Sequence, residues 1–413
     1  MSAAPVPRQG TLPRMFWRLW LGESVSSFGT YVTLLGLQVL VLRTLHGGAQ
    51  DVGWLNSIRW APYLILGLYA GALVDRRRRQ PLMVGTDLAC GVLIGLIPLT
   101  WALGMLSLPV LLVIVALYSS AALFNDAASM AFLPRLIARQ DLQRAHARLD
   151  GSDAVAQTAG PAIAGVLINV LGAPLAILVD AASYLYSAAM MASLRGAEPT
   201  PEVVSRARLH TEIREGVRWI YRGAPLRWLA IGTHGWFAAN AILGVAVPTF
   251  ALRTLHLSVL QFGIAAALAG AGAVLGATIS TAVGHRLGTG GAVIAAHTLT
   301  TFGVVVMALA GVGDEAWAAT FVLGAGQACH GLAMGLSNSH EMSYRQALTA
   351  DHLQARTNTT MRAMNRAVIV VVAPVAGVLV TGAGTRVSLL VAAVIFGAVA
   401  VGLYVSPFRA ARI

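Results

Sequence analysis

Apolar runs of membrane-crossing length recur along the whole chain, and the short polar gaps between them collect the arginines. The runs predict helices near 17–42, 51–74, 81–104, 108–132, 151–170, 173–195, 227–250, 259–283, 290–311, 316–341, 359–382 and 386–406. Each approaches the about 20 apolar residues that cross a bilayer core. The pattern is that of an all-α polytopic membrane protein with twelve transmembrane helices, and an even number puts both termini on one side. The gaps test this topology independently. Of the 29 basic residues, all arginine, 25 fall on the terminal side, Arg59 lies within a span, and only Arg43, Arg253 and Arg386 fall on the other side. Excess positive charge marks cytoplasmic loops, so both termini are expected in the cytoplasm.

The longest gap lies near the midpoint. Pro199 and Pro201 close one span, and RARLHTEIREGVRWIYRG then places Leu209, Ile213, Val217 and Ile220 at helical spacing among arginines. An amphipathic helix on an anionic inner leaflet is expected. It divides the chain into a six-helix bundle over 1–195, a linker over 196–226 and a second six-helix bundle over 227–413. An internal repeat supports the division: PRLIARQDLQRAHAR (134–148) and YRQALTADHLQARTN (344–358) share their Arg, Asp-Leu/His-Leu-Gln and Arg pattern, 210 residues apart. Pro161 and Pro374 recur inside the following spans. Duplicated halves around a midplane site are a transporter architecture.

Composition narrows the class. With 57% hydrophobic and 11% charged residues and a mean hydropathy of +0.70, a soluble fold could not cover this much apolar surface. The net charge of +12 raises nucleic acid as a partner. The arginines, however, sit in short gaps beside lipid-length runs, so no nucleic acid is expected; the lipid bilayer is the partner. Cys90 and Cys329 lie far apart in separate spans and read as small core residues; no metal site and no cofactor are expected. The stretch up to Arg18 lacks the apolar core and cleavage site of a removable signal peptide. No phosphate-cradling loop and no nucleophile–base pattern is found, so the chain is read as no enzyme and no ATPase.

Polar residues inside lipid-spanning helices are costly and face water or another helix. In span one, Glu23, Ser27, Thr30, Leu34 and Gln38 share a helical face, with Tyr31 beside it; Tyr118 and Asn125 do so in span four. Trp236 and Asn240 align in span seven, and Gln327, His330, Met334 and Asn338 in span ten. These residues, with Tyr63, are the candidate walls of a substrate cavity. Helix–helix hydrogen bonding is the alternative use of such stripes. Aromatic and Met surfaces among them suit bulky apolar molecules.

Four charges lie deepest: Glu23, Arg59, Asp87 and Asp180. Taking a carboxyl out of water favours its protonated form, so these are the candidates for proton coupling, Glu23 foremost with Arg59 or His330 as alternating partner. A structural ion pair is the alternative. Asp87, about 10 Å from the helix end at 1.5 Å per residue, is expected to meet loop arginines, and Asp180 to serve structure.

The stretch GALVDRRRRQ (71–80) resembles the loop 2–3 motif of the major facilitator superfamily in Gly71, Asp75, Arg76 and Arg79. It departs at Arg78, where Gly is common, and at Gln80, where a base is. FNDAASMAFLPRLIARQDLQRAHAR (124–148), DAASYLYS (180–187) and YRQALTADHLQAR (344–356) are similar to the branch of enterobactin-type siderophore exporters and macrolide efflux pumps. AGPAIAG (159–165) resembles the antiporter motif of exporters in Gly160, Pro161 and Gly165, with close packing of spans five and eight expected through Ala265, Ala269, Gly272 and Gly276.

The resemblance implies a monomeric transporter working by alternating access, its cavity lined by spans one, four, seven and ten, exchanging a small-molecule substrate for protons. It further implies a cytoplasmic gate built from Gly71, Asp75, Arg76, Arg79, Asp126, Arg135, Glu341, Arg345 and Arg356. Export of an amphipathic drug, antibiotic, siderophore or other metabolite is the favoured reading. Proton-coupled import, or a non-transporting sensor or scaffold on the same fold, are the alternatives.

Overall fold

A computed structural model of the chain describes residues 12–194, 209–222, 224–313 and 315–412. Thirteen helices follow one another: α1 Arg14–Val39, α2 Ala49–Ile65, α3 Gly67–Asp75, α4 Arg79–Ala102, α5 Leu108–Leu136, α6 Leu142–Leu171 and α7 Ala173–Ala192. Then come α8 Leu209–Arg222, α9 Ala224–Thr249, α10 Val259–Ala308, α11 Ala316–Leu348, α12 Asp351–Ala383 and α13 Thr385–Val405. No strand occurs among the described residues.

Nine segments among the described residues are long and apolar enough to cross a membrane. One of them, α10, holds two spans, because Gly288 at φ 73° and ψ 169° turns the chain back between them. That left-handed φ is open to glycine and strained for other residues. The second span (α2 with α3) and the tenth (α11) complete the twelve; their polar residues keep them off the apolar count. Span two is not one helix as expected. The chain breaks at Leu66 before restarting at Gly67, although the Leu66 N–H still bonds the Pro62 carbonyl at 2.8 Å.

Among the first six spans α1 packs on α6 and α7, α4 on α5 and α7, and α2 on α5. Among the last six, α9 packs on α12 and α13, and α10 on α11 and α13. Two principal contacts join the sets, α2 with α12 and α6 with α10. In the second, Gly165 and Gly263 face each other so closely that a Cβ on either would press on backbone across the contact. The glycines named for this contact from the sequence lie elsewhere: Gly272 and Gly276 abut the Ala328 and Leu332 carbonyls of α11, and Ala265 and Ala269 also face α11.

The linker helix α8 is present but packs on protein. Ile220 is buried against Ala230 and Met361, Glu215 pairs with Arg356 of α12, and Tyr221 Oη lies 2.5 Å from His234 Nε2. Val217 stays partly exposed; the side chains of Leu209 and Ile213 lie outside the described residues.

Candidate functional site: a chambered path between the two sets of spans

Toward the face that carries the termini, a cavity of about 770 Å³ separates α1, α2, α3, α5 and α6 from α12. One wall presents Glu23, Asp126, Asp150 and Asp153; the opposite wall presents Arg362 and Arg366. Glu23 Oε1 accepts a hydrogen bond from Ser129 at 2.9 Å, and Tyr63 donates to Asp126 Oδ2 at 2.8 Å. The guanidinium of Arg366 lies 3.7 Å from the Trp60 ring centroid, with Arg59 5.1 Å from the same ring. This cation–π contact, strongest where water is excluded, ties α12 to α2.

A smaller cavity of about 210 Å³ continues from Glu23, Ser27, Asn125 and Asp153 to Tyr31 and Tyr184. Tyr31 also lines a third cavity of about 260 Å³ toward the opposite face, with Gln38, Asn240, Gln327 and His330. No carboxylate or guanidinium lines this outer chamber; its polar groups are amides, an imidazole and a phenol. The Nδ1 atom of His330 is buried without a hydrogen-bond partner, and its ring stacks on Trp236 at 6.2 Å. The path is therefore charged near the termini and neutral beyond Tyr31.

Two carboxyls lie off the path. Asp87, 3% exposed, accepts from Asn125 at 2.7 Å and from Ser187 at 2.7 Å, joining α4, α5 and α7. It meets no loop arginine, because those two donors lie on helices packed directly on α4. Asp180 is fully buried, bonds Ser183 at 3.1 Å and stands where Gly29 lets α1 come close. Removing a buried partner strands the other group at a cost of about 1–3 kcal/mol. Asn125→Leu is therefore expected to lower the unfolding free energy by about that amount, read by thermal unfolding in detergent; an unchanged midpoint would contradict this bonding.

A counterpart to Glu23 occurs in the later spans. Glu341 of α11 lies 3.4 Å from Thr233 of α9 and 3.9 Å from His297 of α10. In both sets one carboxyl joins the first span to the fourth, through a hydroxyl on the partner helix.

A family model described as Major Facilitator Superfamily matches residues 19–344. The chain belongs to the major facilitator superfamily. It is thus a multi-pass membrane protein of a transporter family and not an enzyme. Macrolide efflux protein A of Streptococcus pyogenes is 23% identical over 276 residues, 63% of this chain and 66% of that protein. The aligned part thus spans just under two thirds of that relative. Multidrug efflux pump Tap of Mycobacterium tuberculosis is 29% identical over 216 residues, 50% of this chain and 51% of its own. Among solved structures, a point mutant of the nucleoside transporter NupG superposes with a TM-score of 0.78 at 11% identity, over 95% of this chain and 99% of that one. A bacterial ferroportin homologue in its inward-facing state gives 0.75 at 14% identity, over 95% and 100%; its outward-facing state gives 0.61.

Within this superfamily fold, several expected site residues come together and others do not. Glu23, Ser27, Tyr63, Asn125 and Asp126 line the inner chamber, and Tyr31, Gln38, Asn240, Gln327 and His330 the outer one. Tyr118 is buried on Tyr184 at 2.8 Å, and Trp236, Met334 and Asn338 line none of these three cavities. Neither Arg59 nor His330 pairs with Glu23; Arg59 lies among Tyr31, Tyr63, Tyr118 and Tyr184. In the antiporter-like stretch Gly160 abuts Tyr31, and Pro161 lines the outer chamber.

Of the expected gate, Gly71 and Asp75 belong to α3, and the side chain of Asp75 lies outside the described residues. Arg76 is exposed, Arg79 buried at 5% and Arg135 exposed. Asp126 stands inside the chamber; Glu341 and Arg356 face neighbours within the later spans and linker, and Arg345 contacts Met342. Asp153, Arg362, Arg366 and His297 were missed. Arg362 and Arg366, counted from the sequence only among the terminal-side arginines, belong to α12, which carries them into the chamber wall.

Proposed function

We propose that the chain exports amphipathic small molecules in exchange for protons, as a monomer in a bacterial inner membrane with both termini in the cytoplasm. The six-helix bundles before and after the linker rock about the chambers, and Glu23 binds and releases the coupled proton. The observation that carries this reading is the large chamber on the terminal side. Its carboxyl wall gives proton sites, and its four carboxyls against two guanidiniums fit a cargo with a basic nitrogen. The names of the efflux relatives and the arginine bias of the terminal-side loops support direction and orientation.

Purified protein in inside-out proteoliposomes, given an acidic lumen, is the test, with ethidium as the cationic probe. Uptake of ethidium that collapses with the proton gradient, is competed by erythromycin and is indifferent to an anionic dye is the expected result. Flux in the opposite direction would make the chain an importer, and no flux with either probe would remove the coupled-export reading.

A further inference from the structure

Arg43, Arg253 and Arg386 are the three arginines on the side away from the termini, where the charge bias disfavours them. Each donates to a main-chain carbonyl. Arg386 bonds Ala310 at 3.0 Å, within the later spans. The other two cross between the bundles: Arg43 Nη2 donates to the Leu257 carbonyl at 2.8 Å, and Arg253 Nη2 to the Leu42 carbonyl at 3.0 Å.

The two crossing arginines occupy one structural motif used twice. LRTLH stands at 42–46 and again at 252–256, 210 residues apart. Both copies close their helix with a π turn, over Leu40–Thr44 and Phe250–Thr254. Leu45 N–H bonds the Leu40 carbonyl and Leu255 N–H the Phe250 carbonyl, each at 2.8 Å. His46 at φ 55° and His256 at φ 52° then take the left-handed conformation, which among the described residues no other non-glycine adopts. That conformation is costly away from glycine, and here it turns each chain sharply off its helix beside the other copy. The two turns share a cavity of about 570 Å³ lined by Leu42, Arg43, His46 and their counterparts. Directly beneath, Leu40, Val41, Phe250 and Ala251 are wholly buried.

We propose that Arg43 and Arg253 are a pair of positioning residues, a clasp that holds the face away from the termini shut while the inner chamber stands open. The inference rests on the alternating-access reading above. A guanidinium on a carbonyl suits a reversible seal: a charge-assisted bond is strong enough to bias an equilibrium, and on opening both partners return to water, so neither is stranded. It also explains why these positive charges persist where insertion opposes them. The acceptors are main-chain atoms, so the clasp depends on the turns and not on any acidic side chain.

The test is the distance between spin labels at Leu103→Cys and Val312→Cys, both exposed on that face in opposite bundles, with Cys90 and Cys329 replaced by alanine. A second pair at Arg77→Cys and Arg286→Cys reports the terminal face. In nanodiscs, Arg43→Ala with Arg253→Ala is expected to raise the open-to-closed ratio on the far face about tenfold, or about 1.4 kcal/mol. Arg43→Lys with Arg253→Lys, which keeps donor and charge, should recover most of the closed population. Arg386→Ala, whose bond stays within one bundle, should change nothing. Unchanged far-face distances in the double alanine protein overturn the clasp, as does an equal shift in Arg386→Ala. A terminal-face pair that never moves at any pH would instead remove alternating access, and the clasp with it.

Discussion

Replacing Glu23 with glutamine is expected to leave a folded, inserted protein that no longer couples cargo movement to a pH gradient. The amide keeps the chamber's shape and can still meet the Ser129 hydroxyl, whose bond to Glu23 spans α1 and α5 at 2.9 Å. What it lacks is a site that gains and loses a proton. The steady-state accumulation ratio of ethidium should fall at least about tenfold, equivalent to about 1.4 kcal/mol of driving free energy. Downhill exchange of labelled for unlabelled ethidium should persist. Asp180→Asn, altering a carboxyl buried away from the three chambers, should leave coupling in place even where it lowers stability. Unchanged gradient-driven uptake in the Glu23 variant would take this carboxyl out of the mechanism.

The second large effect lies in the packing of α10 on α11. Gly331 and Gly335 of α11 lie against the Ala269 and Ala273 carbonyls, while Gly276 of α10 lies against the Leu332 carbonyl. Each glycine sits where a Cβ would overlap main chain, which cannot swing aside as a side chain can. Small residues allow helices in lipid to approach this closely, and close packing is what holds them there. Gly331→Val is expected to abolish recovery of monodisperse protein from detergent. Gly331→Ala should cost about 3 kcal/mol, the upper range of overpacking, seen as a clear drop in the thermal midpoint. Gly382→Ala and Gly402→Ala, where a Cβ meets nothing within 4 Å, should stay within about 0.5 kcal/mol. Equal midpoints for Gly331→Ala and Gly402→Ala would contradict this packing.

What the sequence made legible follows from its physics. Twelve spans were readable because lipid demands long apolar helices and short gaps, whereas the break at Leu66 lies inside an apolar run that shows no interruption. Glu23, Ser27 and Asn125 were found because helical spacing puts polar groups on one face, and Gln38, Asn240, Gln327 and His330 for the same reason. Arg362 and Arg366 escaped because, near the terminal-side end of a predicted span, they were counted only as topology-setting charge, and the first turns of a span do not show which residues face a cavity. The partners of Asp87 escaped because Ser187 lies 100 residues away, a pairing that no local pattern reveals. The far-face clasp was hidden differently: its arginines were counted as exceptions, while their acceptors are carbonyls, which every residue has. Only the repeated LRTLH, at the same offset as the loop repeat, marked it.

The most direct test of alternating access through these chambers uses a single cysteine. Ser27→Cys, in a background with Cys90 and Cys329 replaced by alanine, puts a thiol on the wall of the inner and middle cavities. A membrane-impermeant maleimide should label it in inside-out vesicles and, more slowly, in right-side-out vesicles. The clasp substitutions at Arg43 and Arg253 should speed the second rate. Labelling from one side alone under every condition of pH and probe would contradict the account.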